Sequence, residues 1–446
     1  MKKLIALIAV ILILSMTLVG CGNFTEPAAQ GTTKSTTESN AGQKPVTISY
    51  WYTANEANEA DYNPKWQNGN IQLFMEANSN IKVEKTVVSN SDQYQTKLNA
   101  SIAAGEVPDI FGGWFAGRLE PFVRSGSIIA LDDVINNDEK LKNTYIPYKL
   151  AQFDGKTYAI GNTLTTEVYF YNKELFAQNN AVVPKSYEEV INLIKLFKSK
   201  GIIPMAMGNQ DPWVGSLPYM FVFDRIAGPF KYEETCFEKT GKFTDPEYIR
   251  AAEIIVEIAE AGAYPNNFNT LNYDEAKALF TSGKAAMYPM GTWELANLAK
   301  EMGDNLGFFN FPDIEGGKGK ADEDWICSQD GAFSISAKAP TEEQEAAIKF
   351  LKFIFSTERL SDLAMSGALV PAKGLVLDET KLPKVTINLY NQLENVKYGI
   401  IPWDNLLGPN VGKEFNLSTQ SIYAGKSPAE VFSNLQKIAD MEWSSN

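Results

Sequence analysis

From Val46 onward the apolar positions follow two alternating rhythms. VTISYWY (46–52) and IKVEKTVVS (81–89) are short apolar and β-branched runs of strand length. NPKWQNGNIQLFMEANSN (63–80) and SDQYQTKLNASIAAG (91–105) have the spacing of helices. Asp92 stands where a carboxylate caps a helix start, and Gly105 closes that helix. VPDIFGGW (107–114) is the next strand, running out into a loop. This β-α-β-α-β order predicts an α/β protein with a largely parallel, helix-covered sheet, whose ligands sit beyond the carboxyl ends of the strands. Trp51 and Trp114 stand at such ends. The rhythm continues with a strand in GKTYAIG (155–161), a break at GNT (161–163) and a strand again at 168–171. A helix then starts with Ser186 as N-cap and Glu189 as its capping-box partner. A buried strand from Ala285 to Met290 breaks at Gly291, and a strand in GAFSISAKAP (331–340) leads to an amphipathic helix from Thr341. Residues 379–446 read as mainly helical.

The first 43 residues follow neither rhythm. Lys2 and Lys3 precede an apolar run, Leu4 to Val19, shorter than the ~20 residues of a membrane span. The pattern is that of a signal peptide over residues 1–20. It ends in Leu18-Val19-Gly20-Cys21, which resembles a bacterial lipobox, in which the cysteine is lipidated and becomes the mature N-terminus. Residues 21–43 are rich in Gly, Ser, Thr, Asn and Gln and read as a flexible tether, about 25–30 Å in root-mean-square span.

Composition narrows the chemistry. A net charge of −14 provides no basic surface for nucleic acid. The chain has no histidine, which excludes Ser-His-Asp and Cys-His nucleophile systems and His-bound zinc. Enzymology would rest on paired carboxylates, and no P-loop, G-x-S-x-G or C-x-x-C is present. No catalytic residue, metal or cofactor is expected.

Four stretches in order carry a resemblance: KLNASIAAGEVPDIF; GKTYAIG with YFYNKELF and VPKSYEEV; LFTSGKAAMYPMGTWE; and FSISAKAPTEEQEAAIKFLKFIFS. Together they resemble the extracellular solute-binding proteins of sugar ABC transporters, the group that includes maltose-binding protein. The resemblance implies a two-lobed periplasmic-binding-protein-like fold of type II, hinged by several chain crossings. By matched positions, 44–162 plus 291–337 form the first lobe and 163–290 plus 338–446 the second. It implies a monomer that captures a sugar, expected to be an oligosaccharide, and delivers it to membrane permease subunits. With Cys21 lipidated, the protein would sit on the outer face of the cytoplasmic membrane of a single-membrane bacterium. Cys236 and Cys327 would fall in different lobes and are expected to be free thiols.

A pyranose has an apolar C–H face, which an indole matches, and a hydroxyl rim, which planar polar groups match. On that chemistry and the resemblance, the candidate aromatic contacts are Trp51, Tyr52, Trp114, Trp213, Trp293, Trp325 and Trp403. The polar candidates are Asp92, Arg118, Asn162, Asn209, Asp211, Glu294, Asp330 and Asp404. Asp109, Trp66 and Trp443 read as structural. In the loop expected after Asn162 the sequence departs from maltose-binding protein, so no acidic contact is carried over there. Two other readings stay open: a secreted carbohydrate-active hydrolase using the same indoles and carboxylates, and a binder of a cation, polyamine or peptide, the acids at 322–324 keeping the cation and the polyamine open while the Trp at strand ends favour sugar.

Overall fold

The computed structural model describes residues 44–57, 62–236, 238–393 and 396–444. The signal peptide, the tether and Cys21 lie outside the described residues, as does the side chain of Cys236.

Nine strands build one mixed sheet. They are β1 (Val46–Thr53), β2 (Ile81–Val88), β3 (Ile110–Gly113), β4 (Ile160–Asn172), β5 (Ile203–Met205), β6 (Ala285–Gly291), β7 (Leu306–Phe309), β8 (Asp324–Ile335) and β9 (Tyr398–Ile400). The order is β2-β1-β3-β8-β4-β6-β5, with β7 added on β4 and β9 on β8. The β1–β2–β3 pairings are parallel, as are β5–β6 and β8–β9. The sheet as a whole is not largely parallel, because β8 runs antiparallel to β3 and β4, and β4 antiparallel to β6 and β7.

The strand β4 does not break at GNT. It runs unbroken for 13 residues, pairing β8 through residues 160–166 and β6 and β7 through residues 167–172. The strand stays continuous because each half finds a different partner, with one interruption of the β8 ladder at Asn162, opposite Gly331. With β8, 12 residues long, it links the two halves of the sheet.

Helices cover both halves: α1 (Tyr62–Ala77), α2 (Ser91–Ala104), α3 (Tyr187–Ser199), α4 (Pro212–Ala227), α5 (Tyr273–Thr281), α6 (Thr341–Ile354), α7 (Thr357–Met365), α8 (Trp403–Leu406) and α9 (Pro409–Tyr423) among them. The cap of α2 is Asn90, whose side chain accepts from the Gln93 N–H, and not Asp92, which is left in the first turn. Gly105 ends α2 at φ +72°, the left-handed geometry that suits glycine. Ser186 caps α3 by accepting from the Glu189 N–H, while the Glu189 carboxylate takes the Lys185 N–H, one residue before the cap.

A smaller core lies between β1–β3 and helices α1, α6 and α7, with Ile48, Tyr50, Phe74, Phe333, Phe350 and Leu363 buried together. A larger core surrounds β4, β6 and α4. The packing differs from the expected division of the chain. Residues 341–365, expected in the second lobe, lie on β1 and α1, with Phe350 edge-on to Tyr50 at 5.4 Å. Residues 306–309, expected in the first, pair with the far half of β4. The cause is β8: its last residues, 332–335, pair β3, so the chain emerges over the β1–β3 half, and the apolar face of α6 closes on that half.

Cys327 sits in β8 as a free thiol, and burial pushes it up to about 11.

Candidate functional site

Side chains alternate across a strand, so residues two apart share a face. On β4 that face carries Thr165 and Glu167, and on β8 it carries Ser328 and Asp330, all four turned into a cavity of about 270 Å³. The register aligns Thr165 with Ser328, so the two strands form one polar floor. The opposite parity is spent on structure: the Thr166 hydroxyl donates to the Ile326 carbonyl.

One wall comes from the chain after β3. Trp114 lines the cavity with the Arg118 guanidinium over its ring at 4.9 Å. Between them Ala116 holds φ +51°, an uncommon conformation for a non-glycine residue. Gly117 passes so close to the α8–α9 junction that a Cβ there would stand 2.5 Å from the Leu406 carbonyl oxygen. This approach brings Arg118 to Asp404, Nη2 to Oδ2 at 2.7 Å. Asp92, in the first turn of α2, also faces the cavity.

The other wall is Trp213, Ser216 and Leu217 at the start of α4, with Trp293 just after β6. Trp213 and Trp293 meet edge to face, ring centroids 5.7 Å apart. Both indoles also line a second cavity of about 540 Å³ with Asn55, Asn90, Asp211, Tyr273, Lys277 and Glu294. Trp293 Nε1 donates to the Tyr273 hydroxyl at 3.0 Å. That hydroxyl donates to Glu294, which also accepts from Lys277 at 3.2 Å. Asn90, the cap of α2, donates to Asp211 at 3.3 Å, and both line this second cavity.

The floor is electrostatically unusual. Glu167 is 2% exposed, and neither carboxyl oxygen has a hydrogen-bond partner among the described residues. Burial, with Asp404 adding repulsion, holds its carboxyl well above the usual range. Burial likewise raises Asp330, Asp92 and Asp211. Such a cavity accepts hydroxyl donors on its floor and flat apolar faces on its walls.

Residues 71–385 match the sequence profile of the bacterial extracellular solute-binding proteins. The chain belongs to that family. A structure solved in work on xylan utilization by Caldanaerobius polysaccharolyticus superposes with a TM-score of 0.81 at 29% identity, covering 88% of this chain and 99% of that one. A chitin oligosaccharide binding protein superposes with a TM-score of 0.82 at 22% identity, covering 89% and 98%. The multiple sugar-binding protein of Streptococcus mutans is 25% identical over 346 residues, 75% of this chain and 77% of that relative. The fold is the two-lobed α/β fold of such proteins.

In this solute-binding protein the candidates separate into two groups. Asp92, Trp114, Arg118, Trp213, Trp293, Asp330 and Asp404 line the inner cavity, and Asp211 and Glu294 the outer one. The others lie elsewhere. Tyr52 stacks on Tyr50 in the smaller core, and Trp51 is half-buried under Lys97 at 4.2 Å. Trp403 is buried among Tyr219, Phe223 and Phe415. Trp325 is buried in β8 beside a separate surface hollow. Asn162 is buried against Gly331, where the bend of β8 leaves no room for a Cβ. Asn209 is fully buried, bonded to the Gly215 N–H and to Asn269, and so anchors the start of α4. Asp109 is structural, accepting from the Ser49 N–H and hydroxyl. Glu167 and Ser328 are cavity residues outside the sequence-derived candidates. The signal for Glu167 is a lone acid, in phase with Thr163 and Thr165, in a strand otherwise of apolar residues, threonine and asparagine.

Proposed function

We propose that this protein captures a sugar, of oligosaccharide length, in the two joined cavities and hands it to the permease of an ABC importer. The observation that carries this reading is the convergence of three indoles, Trp114, Trp213 and Trp293, on a floor of Thr165, Glu167, Ser328 and Asp330. Indole faces suit pyranose C–H surfaces, and carboxylates and hydroxyls suit the rim. Two cavities sharing Ser91, Trp213 and Trp293 leave room for more than one ring. The names of the relatives, a multiple sugar-binding protein and a chitin oligosaccharide binding protein, support the same class. The protein acts by binding and releases its sugar unchanged.

The packing of α6 and α7 supports a first lobe built from β1–β3 and residues 341–365, and a second built around the far half of β4, β5, β6 and β7. The ligand would lie between them, over β4 and β8. Among the described residues no helix is long and apolar enough to cross a membrane. The lipobox at residues 18–21 supports attachment through a lipidated Cys21 at the outer face of the cytoplasmic membrane.

Thermal melting of the purified protein against mono- to tetrasaccharides tests the reading. A ligand at 100 times its dissociation constant adds about 2.7 kcal/mol of stability. A shift with an oligosaccharide that is recovered intact is the expected result. Hydrolysis of the sugar, or a shift only with polyamines, peptides or metal ions, would refute it.

A further inference from the structure

The inner cavity holds a carboxyl group that no other described residue satisfies. Glu167 lies on β4 opposite Gly291 of β6, so no side chain reaches it from that neighbour. Toward β8, Ser328 stands opposite Thr165 and Asp330 opposite Thr163, one and two steps along the same face from Glu167, and Ser328 is already shared with the Thr165 hydroxyl at 3.4 Å. Arg118, the cation lining this cavity, is bonded to Asp404 and not to Glu167. A buried carboxyl with both oxygens unpaired costs free energy, more when ionised than when protonated. The space it faces is the one the three indoles enclose.

We propose that Glu167 is a direct sugar contact, which accepts two hydroxyl hydrogen bonds from the bound ligand and releases its proton to solvent as the ligand seats. The inference rests on the sugar reading above. The Glu167 O–H bond breaks, the proton passes to water at the cavity mouth, and no bond of the sugar changes. A carboxylate is an acceptor-only group with two oxygens, so it suits a ring edge that presents adjacent hydroxyl donors. It therefore selects for free hydroxyls at that edge and against the same sugar methylated there.

Other groups around Glu167 also bear charge, and the test must separate them. Asp404 on α8 and Arg118 in the turn after β3 form their ion pair at the edge of the cavity. Asp330 lies on β8 and Asp92 on α2. Glu294, in the turn packed on β4, is held by Tyr273 and Lys277 in the outer cavity. From α4 the facing side chains are Trp213, Ser216 and Leu217, none of which titrates in the accessible range. Burial favours the protonated form of Glu167 in the free protein, and donors from the ligand favour the ionised form.

Calorimetric titration of the wild-type protein with xylotriose, chitotriose, raffinose and stachyose finds a sugar that binds. That sugar is then titrated at one pH in phosphate and in Tris, which differ widely in ionisation enthalpy. The expected result is a buffer-dependent heat reporting proton release, with affinity rising by up to about tenfold per pH unit. Glu167→Gln should lower both the released-proton count and the pH slope while still binding. Infrared difference spectra of the wild type should show a protonated-carboxyl band lost on sugar addition, which covers the case of a variant that does not fold. A buffer-independent heat, an unchanged proton count in Glu167→Gln, or a carboxyl band that survives binding overturns the proposal. No heat with any of these sugars refutes the sugar reading itself.

Discussion

Arg118 and Asp404 stand 286 positions apart in the chain and form an ion pair of 2.7 Å, with a second bond from Arg118 Nε to the Asp404 carbonyl oxygen at 3.3 Å. The pair ties the turn after β3 to the C-terminal helices at the edge of the cavity. It also holds the guanidinium over Trp114, so one contact orders this wall of the cavity.

Arg118→Leu leaves Asp404 in the cavity wall without its cation. Both side chains are about a tenth exposed, so the loss should cost about 3 kcal/mol of stability. The double variant Arg118→Leu/Asp404→Leu should recover most of it, since no unpaired charge remains. Urea unfolding of the three proteins measures this; a single variant as stable as the wild type would count against a structural role for the pair.

Gly291 sets the position of Trp293. A Cβ at Gly291 would stand 2.0 Å from the indole ring, and φ of −83° is open to alanine, so the nearest steric conflict is with the indole. Gly291→Ala should displace Trp293 and weaken sugar binding about as much as Trp293→Ala, by about 2 kcal/mol each. Calorimetric titration compares them. Normal affinity in Gly291→Ala would mean that the indole is not a sugar platform.

Glu167 makes the ligand-free protein sensitive to pH. Its carboxyl is held above the usual range, so in the unfolded chain it ionises first as pH rises. Its contribution is fully present below the unfolded pKa near ~4.3 and is lost as pH rises from there toward the folded value. Asp92 and Asp330 act in the same direction. The melting temperature of the wild type should therefore fall more between about pH 5 and about pH 8 than that of Glu167→Gln. Equal slopes would show that Glu167 is not held neutral.

Cys21→Ala tests the anchor. Two acyl chains make attachment stable where a single chain is marginal. The variant should appear in the culture medium or remain as unprocessed precursor. Membrane association at the mature size would rule out lipidation at Cys21.

Much of the site is legible in the amino-acid sequence, because its aromatic members sit beside breaks. Trp114 follows a strand that runs out into a loop, and Trp293 follows Gly291. Such positions show as punctuation in the apolar rhythm. Trp403 shows the same punctuation, in IIPWDN, yet is enclosed by Tyr219, Phe223 and Phe415, which arrive from distant parts of the chain. Asn209 has the composition of a ligand contact, but its partners Gly215 and Asn269 turn it inward.

The sequence by itself determined the alternation of strands and helices, the family, and the chemical type of the cavity, because periodicity and residue identity are local properties. Tertiary structure decided which residues share a face of that cavity. Glu167 is one acid in a strand until β8 aligns Ser328 with Thr165 and places Asp330 beyond them. Residues 341–365 read as amphipathic helix in either lobe, until the pairing of β8 with β3 delivers the chain to the β1–β3 half. The physical reason is the same in both cases. A helix or strand records its own period, whereas its partner is chosen by the surface it can bury, and that surface is assembled from residues far away in the chain.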